Sequence, residues 1–329
     1  METSKFRSVD VGFAELDARD HVRLAKKAEK LGFSCVWLQE GNKWGAIPLA
    51  AAILSNTEKI RVGTGIVSPF RRHPLSLSVD SAVLSELSGG RFILGIGSAP
   101  SQLRAMGLHV SQLRGLRESV EILRRLFKGE RFVYSGEVFR IEKPTALEVA
   151  LKSFPPIYLG ALMPKMIELA AEIADGLLIS RRGGSSPRYV KEVIRLVKKV
   201  RRRASHPEHF SIRAFIETSI DEDREKAFQL SRKVLGSYTI PLMPRPVLNQ
   251  TEFWEDVRLI AGSREVSEKM IDEGIIRGFS MSGNPSDCLE KLETFSETGL
   301  EVPIFYFHGP SADKALELAG KQILPKVIS

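Results

Sequence analysis

The chain has 329 residues, 43% hydrophobic and 27% charged, enough for a full-sized core in one large domain or two smaller ones. No apolar run reaches the roughly 20 residues that cross a bilayer, and the first residues, METSKFRSVD, lack the apolar segment of a secretory signal. The net charge of +8 suits anionic ligands in general. The basic run Lys198–Arg203, however, ends a helical pattern without interleaved aromatics and reads as a solvated helix terminus rather than a nucleic-acid site.

In chain order, short apolar runs predict strands at 6–11, 34–38, 60–66, 92–96, 157–159, 176–180, 210–219 and 303–307. Amphipathic segments predict helices at 17–31, 46–54, 75–87, 164–173, 187–199, 221–235 and 311–323. Strands such as FILGI and GLLIS are apolar at every position, the signature of strands covered on both faces. Eight such strands alternating with helices predict an α/β fold, a single (β/α)8 TIM-like barrel over residues 1–329. The rhythm breaks near 100–155, where a helix at 111–127 and a hairpin around Ser135-Gly136 intervene, and again at 238–287, with its four prolines. Both are read as insertions. Cys35 and Cys288 lie far apart without ligand spacing, so free thiols in a cytoplasmic, reducing compartment are expected, and no metal site.

A barrel keeps its chemistry at the strand C-termini. Four of these ends are unusual: Gln39-Glu40-Gly41-Asn42, Gly63-Thr64-Gly65-Ile66, Gly95-Ile96-Gly97-Ser98-Ala99-Pro100 and Gly160-Ala161-Leu162-Met163-Pro164. Neither GxG run completes a dinucleotide fingerprint, and no Walker, HExxH or GxSxG motif occurs. Pro164 sits where a helix begins, so the amides of Leu162, Met163 and Lys165 either face a phosphate or form a plain turn. Glu40 is either a rim acid of the barrel mouth or a solvated loop acid. His73, before Pro74, is either a helix cap or a site residue. The stretch RVGTGIVSPFRRHP joins a glycine-rich strand end to Arg71, Arg72 and His73, and reads as an elaborate turn or as the wall of a site.

Three segments together, GTGIVSPFRRHP, GGRFILGIGSA and PPIYLGALMPKMIELAAEIADGLLIS, resemble the bacterial-luciferase-like superfamily. Within it they resemble the deazaflavin (coenzyme F420)-dependent branch, nearest the methylenetetrahydromethanopterin reductases. The resemblance implies a cytoplasmic, homodimeric barrel with F420 across its mouth, acting on a small-molecule substrate without nucleic-acid or membrane partners. By motif it assigns Glu40 and His73 as catalytic candidates. It assigns Glu40, Gly65, Ile66, Ser68, Gly97, Ser98, Ala99, Leu103, Gly160, Ala161, Leu162, Met163 and Lys165 to the cofactor, with a cis peptide between Gly65 and Ile66. The chain departs from the pattern at Gly41, where the family often has histidine, and at Pro100 and Val9, where it has acids. The resemblance thus implies an F420-dependent oxidoreductase. An FMN-dependent monooxygenase of the same superfamily and a non-catalytic flavin-binding protein are the alternatives.

Overall fold

A computed structural model describes residues 6–203, 210–252, 254–258, 260 and 266–328. Eight strands close a parallel barrel: β1 (Asp10–Ala14), β2 (Cys35–Leu38), β3 (Arg61–Thr64), β4 (Phe92–Ile96), β7 (Ile157–Ala161), β8 (Gly176–Ile179), β9 (Ser211–Ile220) and β11 (Val302–His308). The register runs Val11↔Val36, Val36↔Val62 and Val62↔Phe92 through the first four strands, and closure comes from β11 against β1, with Ile304 opposite Asp10. Between β4 and β7 the chain makes a two-stranded antiparallel hairpin of β5 (Phe132–Ser135) and β6 (Arg140–Thr145). Its turn is held by the buried Glu118 carboxylate, which accepts the N–H groups of Glu137, Val138 and Phe139 at 2.8–3.0 Å.

Local chemistry explains the element ends. Helix Ala18–Leu31 starts at Asp17, whose side chain accepts the Asp20 N–H, and stops at Gly32, whose φ of 91° a Cβ would oppose. Helix Pro74–Ser88 begins with proline at its first turn, where a missing N–H costs nothing.

The structure moves some expected boundaries. β1 begins at Asp10 instead of residue 6, because Phe6 leaves the barrel to bridge Ile328 and close its base. β3 stops at Thr64, and the Gly65–Ile66 peptide that follows is cis. The chain then rejoins β4 through Val67, which bridges Ile96. Sequence reasoning missed one strand in the 238–287 stretch, β10 (Met281–Gly283), which pairs with the far half of β9 (Met281↔Thr218) beyond the segment that pairs with β8.

The barrel interior is filled by four aromatic rings. Trp37 lies 5.7 Å from Tyr158 and 6.5 Å from Phe215, and Phe215 lies 5.7 Å from Tyr306. Glycines face them because nothing larger fits. A Cβ at Gly63 would stand 2.4 Å from the Trp37 ring, one at Gly176 2.2 Å from Tyr158, and one at Gly12 2.7 Å from Tyr306. Much of the glycine content of these strands is therefore a packing requirement of the rings.

Candidate active site

Below the ring layer, Asp10 is wholly buried. It accepts a 2.7 Å hydrogen bond from the Trp37 indole N–H and pairs with Arg213. Burial pushes the Asp10 carboxyl up, and Arg213 and Trp37 oppose that shift. This pair stands near the starts of β1 and β9, at the barrel base.

Above the layer, Ile66 forms the floor of the mouth. A Cβ at Gly97 would come within 2.9 Å of Ile66 Cγ1, and one at Gly160 within 2.7 Å of Cγ2. The glycines after β4 and in β7 thus exist to seat Ile66, which remains half-buried between them. The Gly65 position is kept free by Phe215, 2.8 Å from where a Cβ would be. Ser68 is buried and its hydroxyl donates to the Ser98 carbonyl at 3.5 Å. Ala99, at φ 47° and ψ 59°, turns the chain in the left-handed region and accepts the amide of the buried Leu103.

Glu40 is no solvated loop acid. Its side chain is 2% exposed, and one carboxylate oxygen accepts from Arg72 Nε at 3.2 Å and Nη2 at 3.1 Å. Its backbone carbonyl accepts from Gln102 at 3.1 Å, which ties the loops after β2, β3 and β4 together. The second carboxylate oxygen is buried, lies 4.0 Å from Arg71 Nη1 and accepts no hydrogen bond. His73 stands apart from this group. Its Nδ1 accepts the Leu75 N–H at 3.1 Å as a helix cap, its ring meets Phe139 edge-on at 5.3 Å, and burial lowers its pKa.

The loop after β7 leads directly into helix Pro164–Ile173. Its N-cap, Met163, provides no side-chain hydrogen bond; Pro164 has no N–H, and the N–H groups of Met166 and Ile167 donate to the Met163 carbonyl at 2.9 and 3.0 Å. Ala161 is buried, Leu162 half-buried with its carbonyl accepting from the Tyr189 hydroxyl, and Met163 and Lys165 are exposed. A polyanion fits this terminus by the helix dipole and the exposed Lys165.

A second cluster at the mouth was not recognised in the sequence. Glu217, 2% exposed near the end of β9, accepts from Thr239 at 2.8 Å and lies 2.7 Å from His308 Nε2 and 3.5 Å from Arg181. Burial alone would raise the Glu217 pKa. Arg181, His308 and Thr239 outweigh it and hold the carboxyl down at about 2. The Arg181 guanidinium lies 3.8 Å above the ring of Tyr238, whose hydroxyl is 3.4 Å from Arg182 Nη2. Burial raises the Tyr238 phenol pKa, but the two arginines more than reverse it. The signal was available in strand parity. Arg213, Phe215 and Glu217 alternate along one face of SIRAFIETSI, as do Tyr306 and His308 in FYFH, so the same face that carries the rings carries the charges. Glu15, after β1, is a further mouth acid held in left-handed backbone, at φ 60°.

Among the described residues no group of three or more His, Cys, Asp or Glu side chains is placed to hold a metal ion. A cavity of about 510 Å³ between helices Ala18–Leu31 and Ala46–Leu54 is lined by apolar groups with Arg19 as its one charge, so it offers no acid or nucleophile for chemistry.

Comparison with known proteins agrees with this geometry. The chain is 31% identical to 5,10-methylenetetrahydromethanopterin reductase of Archaeoglobus fulgidus over 92% of its own length and 94% of the relative's. It is 27% identical to F420-dependent glucose-6-phosphate dehydrogenase of Nakamurella multipartita, over 92% and 91% of the two chains. The coenzyme F420-dependent tetrahydromethanopterin reductase structure from Methanopyrus kandleri superposes with a TM-score of 0.81 at 23% identity, covering 98% and 99% of the two chains. The luciferase-like monooxygenase model matches residues 3–301, and the chain belongs to that family.

Proposed function

We propose that this protein is a coenzyme F420-dependent oxidoreductase that transfers a hydride between the deazaflavin and a small organic substrate. The observation that carries the reading is the mouth itself: an apolar floor made by Ile66 between two glycines, beside a helix terminus without a side-chain cap, where a phosphodiester would meet the helix dipole and Lys165. The relatives that share the chain's length include F420-dependent enzymes, which supports the same cofactor class here.

The residues present fit that group. Ile66 offers a rigid, β-branched surface for one ring face. Ser98 and Ala99 line the side of the mouth, and the amides around Leu162, Met163 and Lys165 receive the phosphodiester. When bound, the deazaflavin supplies the hydride-carrying carbon. The protein's part is to place ring and substrate and to exclude water. Glu40 is the residue for the accompanying proton: Arg72 fixes one of its oxygens, and the other, 4.0 Å from Arg71, accepts no hydrogen bond. His73 acts by capping its helix and holding the loop that carries Arg71 and Arg72.

The protein works as a cytoplasmic homodimer in this reading. Two buried free cysteines suit a reducing compartment. On helix Pro74–Ser88, Val79, Val83 and Leu87 are 49–57% exposed at four-residue spacing, an apolar stripe that a second copy would cover.

Anaerobic titration of the purified protein with F420 and with FMN, followed by a substrate panel, tests the function. Saturable F420 binding with hydride transfer and no oxygen consumption is expected. FMN binding with oxygen-consuming turnover would make the protein a monooxygenase instead.

A further inference from the structure

We propose that the substrate carries an anionic group, carboxylate or phosphate, and that Arg182 with the Tyr238 hydroxyl receives it at the mouth. This rests on the oxidoreductase reading above and names its substrate class.

Charge balance leads to the site. The cluster after β8 and β9 contains two guanidiniums, Arg181 and Arg182, and one carboxylate, Glu217. Glu217 is engaged by Arg181 and by His308. Among the described residues no carboxylate lies within ion-pair distance of Arg182, so one positive charge is left over. Arg182 is half-buried, and its Nε–H is fully buried without an acceptor. Arg213 and Arg224 also have a buried Nε without an acceptor, but each is paired with a carboxylate. Arg182 has neither, so its unmade donor and unbalanced charge point to a partner supplied from outside the chain.

The surroundings fit a planar anion. Arg182 follows β8 by three residues, on the C-terminal face where barrel enzymes hold substrates. A guanidinium fork donates two parallel hydrogen bonds to a carboxylate or phosphate. Tyr238 supplies a third donor. Its ring is fixed under Arg181, its hydroxyl stands beside Arg182, and the residue is 39% exposed. It lies in a π-helical turn, Leu235–Thr239, a local irregularity frequent at functional sites. The arrangement has a division of labour. Glu217 neutralises Arg181 and fixes the platform, whereas Arg182 keeps its charge for the ligand.

The test uses F420-loaded protein titrated by calorimetry, at low ionic strength, with inorganic phosphate and separately with succinate. Wild type, Arg182→Gln and Arg182→Lys are compared. Arg182→Gln is expected to weaken the preferred anion by about tenfold or more. Arg182→Lys, which keeps the charge but loses the fork, should fall between the two. Tighter phosphate than succinate would assign a phosphate ester, and the reverse order a carboxylic acid. Equal affinity in wild type and Arg182→Gln, or no saturable binding of either anion, would overturn the proposal. F420 binding is measured first on the same samples. If F420 does not bind, the functional reading fails, and the titrations are repeated on cofactor-free protein. There the helix beginning at Pro164 is also open to phosphate, so dependence on Arg182, rather than binding as such, decides.

Discussion

Two acid–arginine pairs lie inside this barrel, one on each side of the aromatic layer, and they are built alike. At the base Arg213 pairs with Asp10 and lies 5.7 Å from the Trp37 ring and 5.5 Å from Tyr158. At the mouth Arg181 pairs with Glu217 and lies 3.8 Å from Tyr238 and 5.0 Å from Tyr306. The difference is what each leaves over. The base balances one guanidinium against one carboxylate, 7% and 0% exposed, so although Asp10 Oδ1 and Arg213 Nε lack hydrogen bonds, no net charge is left over. The mouth adds Arg182, a guanidinium with no carboxylate in ion-pair distance among the described residues, and a phenol beside it. Residue types therefore do not separate structural from functional charges here. Position along the strand does, because Asp10 opens β1 whereas Glu217 stands near the end of β9.

Three measurements sharpen or break that contrast. The largest effect is expected at the mouth: Glu40→Gln should lower turnover roughly 10²–10⁴-fold with little change in F420 affinity. Near-normal turnover would reduce Glu40 to a tie between loops. At the base, Arg213→Met leaves Asp10 buried without its cation and should cost about 3–5 kcal/mol in urea unfolding. Turnover per folded molecule should not change. A collapse of turnover there would bring the base into the site and end the distinction.

The smallest expected effect concerns acid. The folded pKa of Glu217 is depressed to about 2 from an ordinary 4.5. Its stabilisation is therefore fully present above about pH 4.5 and is lost as pH falls towards 2, amounting to about 3 kcal/mol. Acid-unfolding curves of wild type and Glu217→Gln check this. The variant should lack the Glu217 contribution to the slope in that window, while parallel curves would contradict it.

The fold was legible because burial on both faces writes continuous apolar strands, FILGI and GLLI among them, between amphipathic helices. β10 was not, since three residues in a proline-rich stretch carry no period. The floor of the mouth was legible through its motif, but the reason for its glycines was not. Gly97 and Gly160 make room for Ile66, and Gly63 for Trp37, neighbours that only the closed barrel brings together. Glu217 and His308 were passed over because their strands read as apolar runs, although their even spacing from Phe215 and Tyr306 placed them on the ring-bearing face. Tyr238 had no local signal, because its place under Arg181 is a contact between distant segments.

The central claim is that the mouth over Ile66 is the deazaflavin site. A crystal structure of the protein with bound F420 tests it most directly. The account predicts the ring against the Ile66 side chain and the phosphodiester at the amides that open helix Pro164–Ile173. A ring seated away from Ile66, or a phosphodiester distant from that helix, would contradict it.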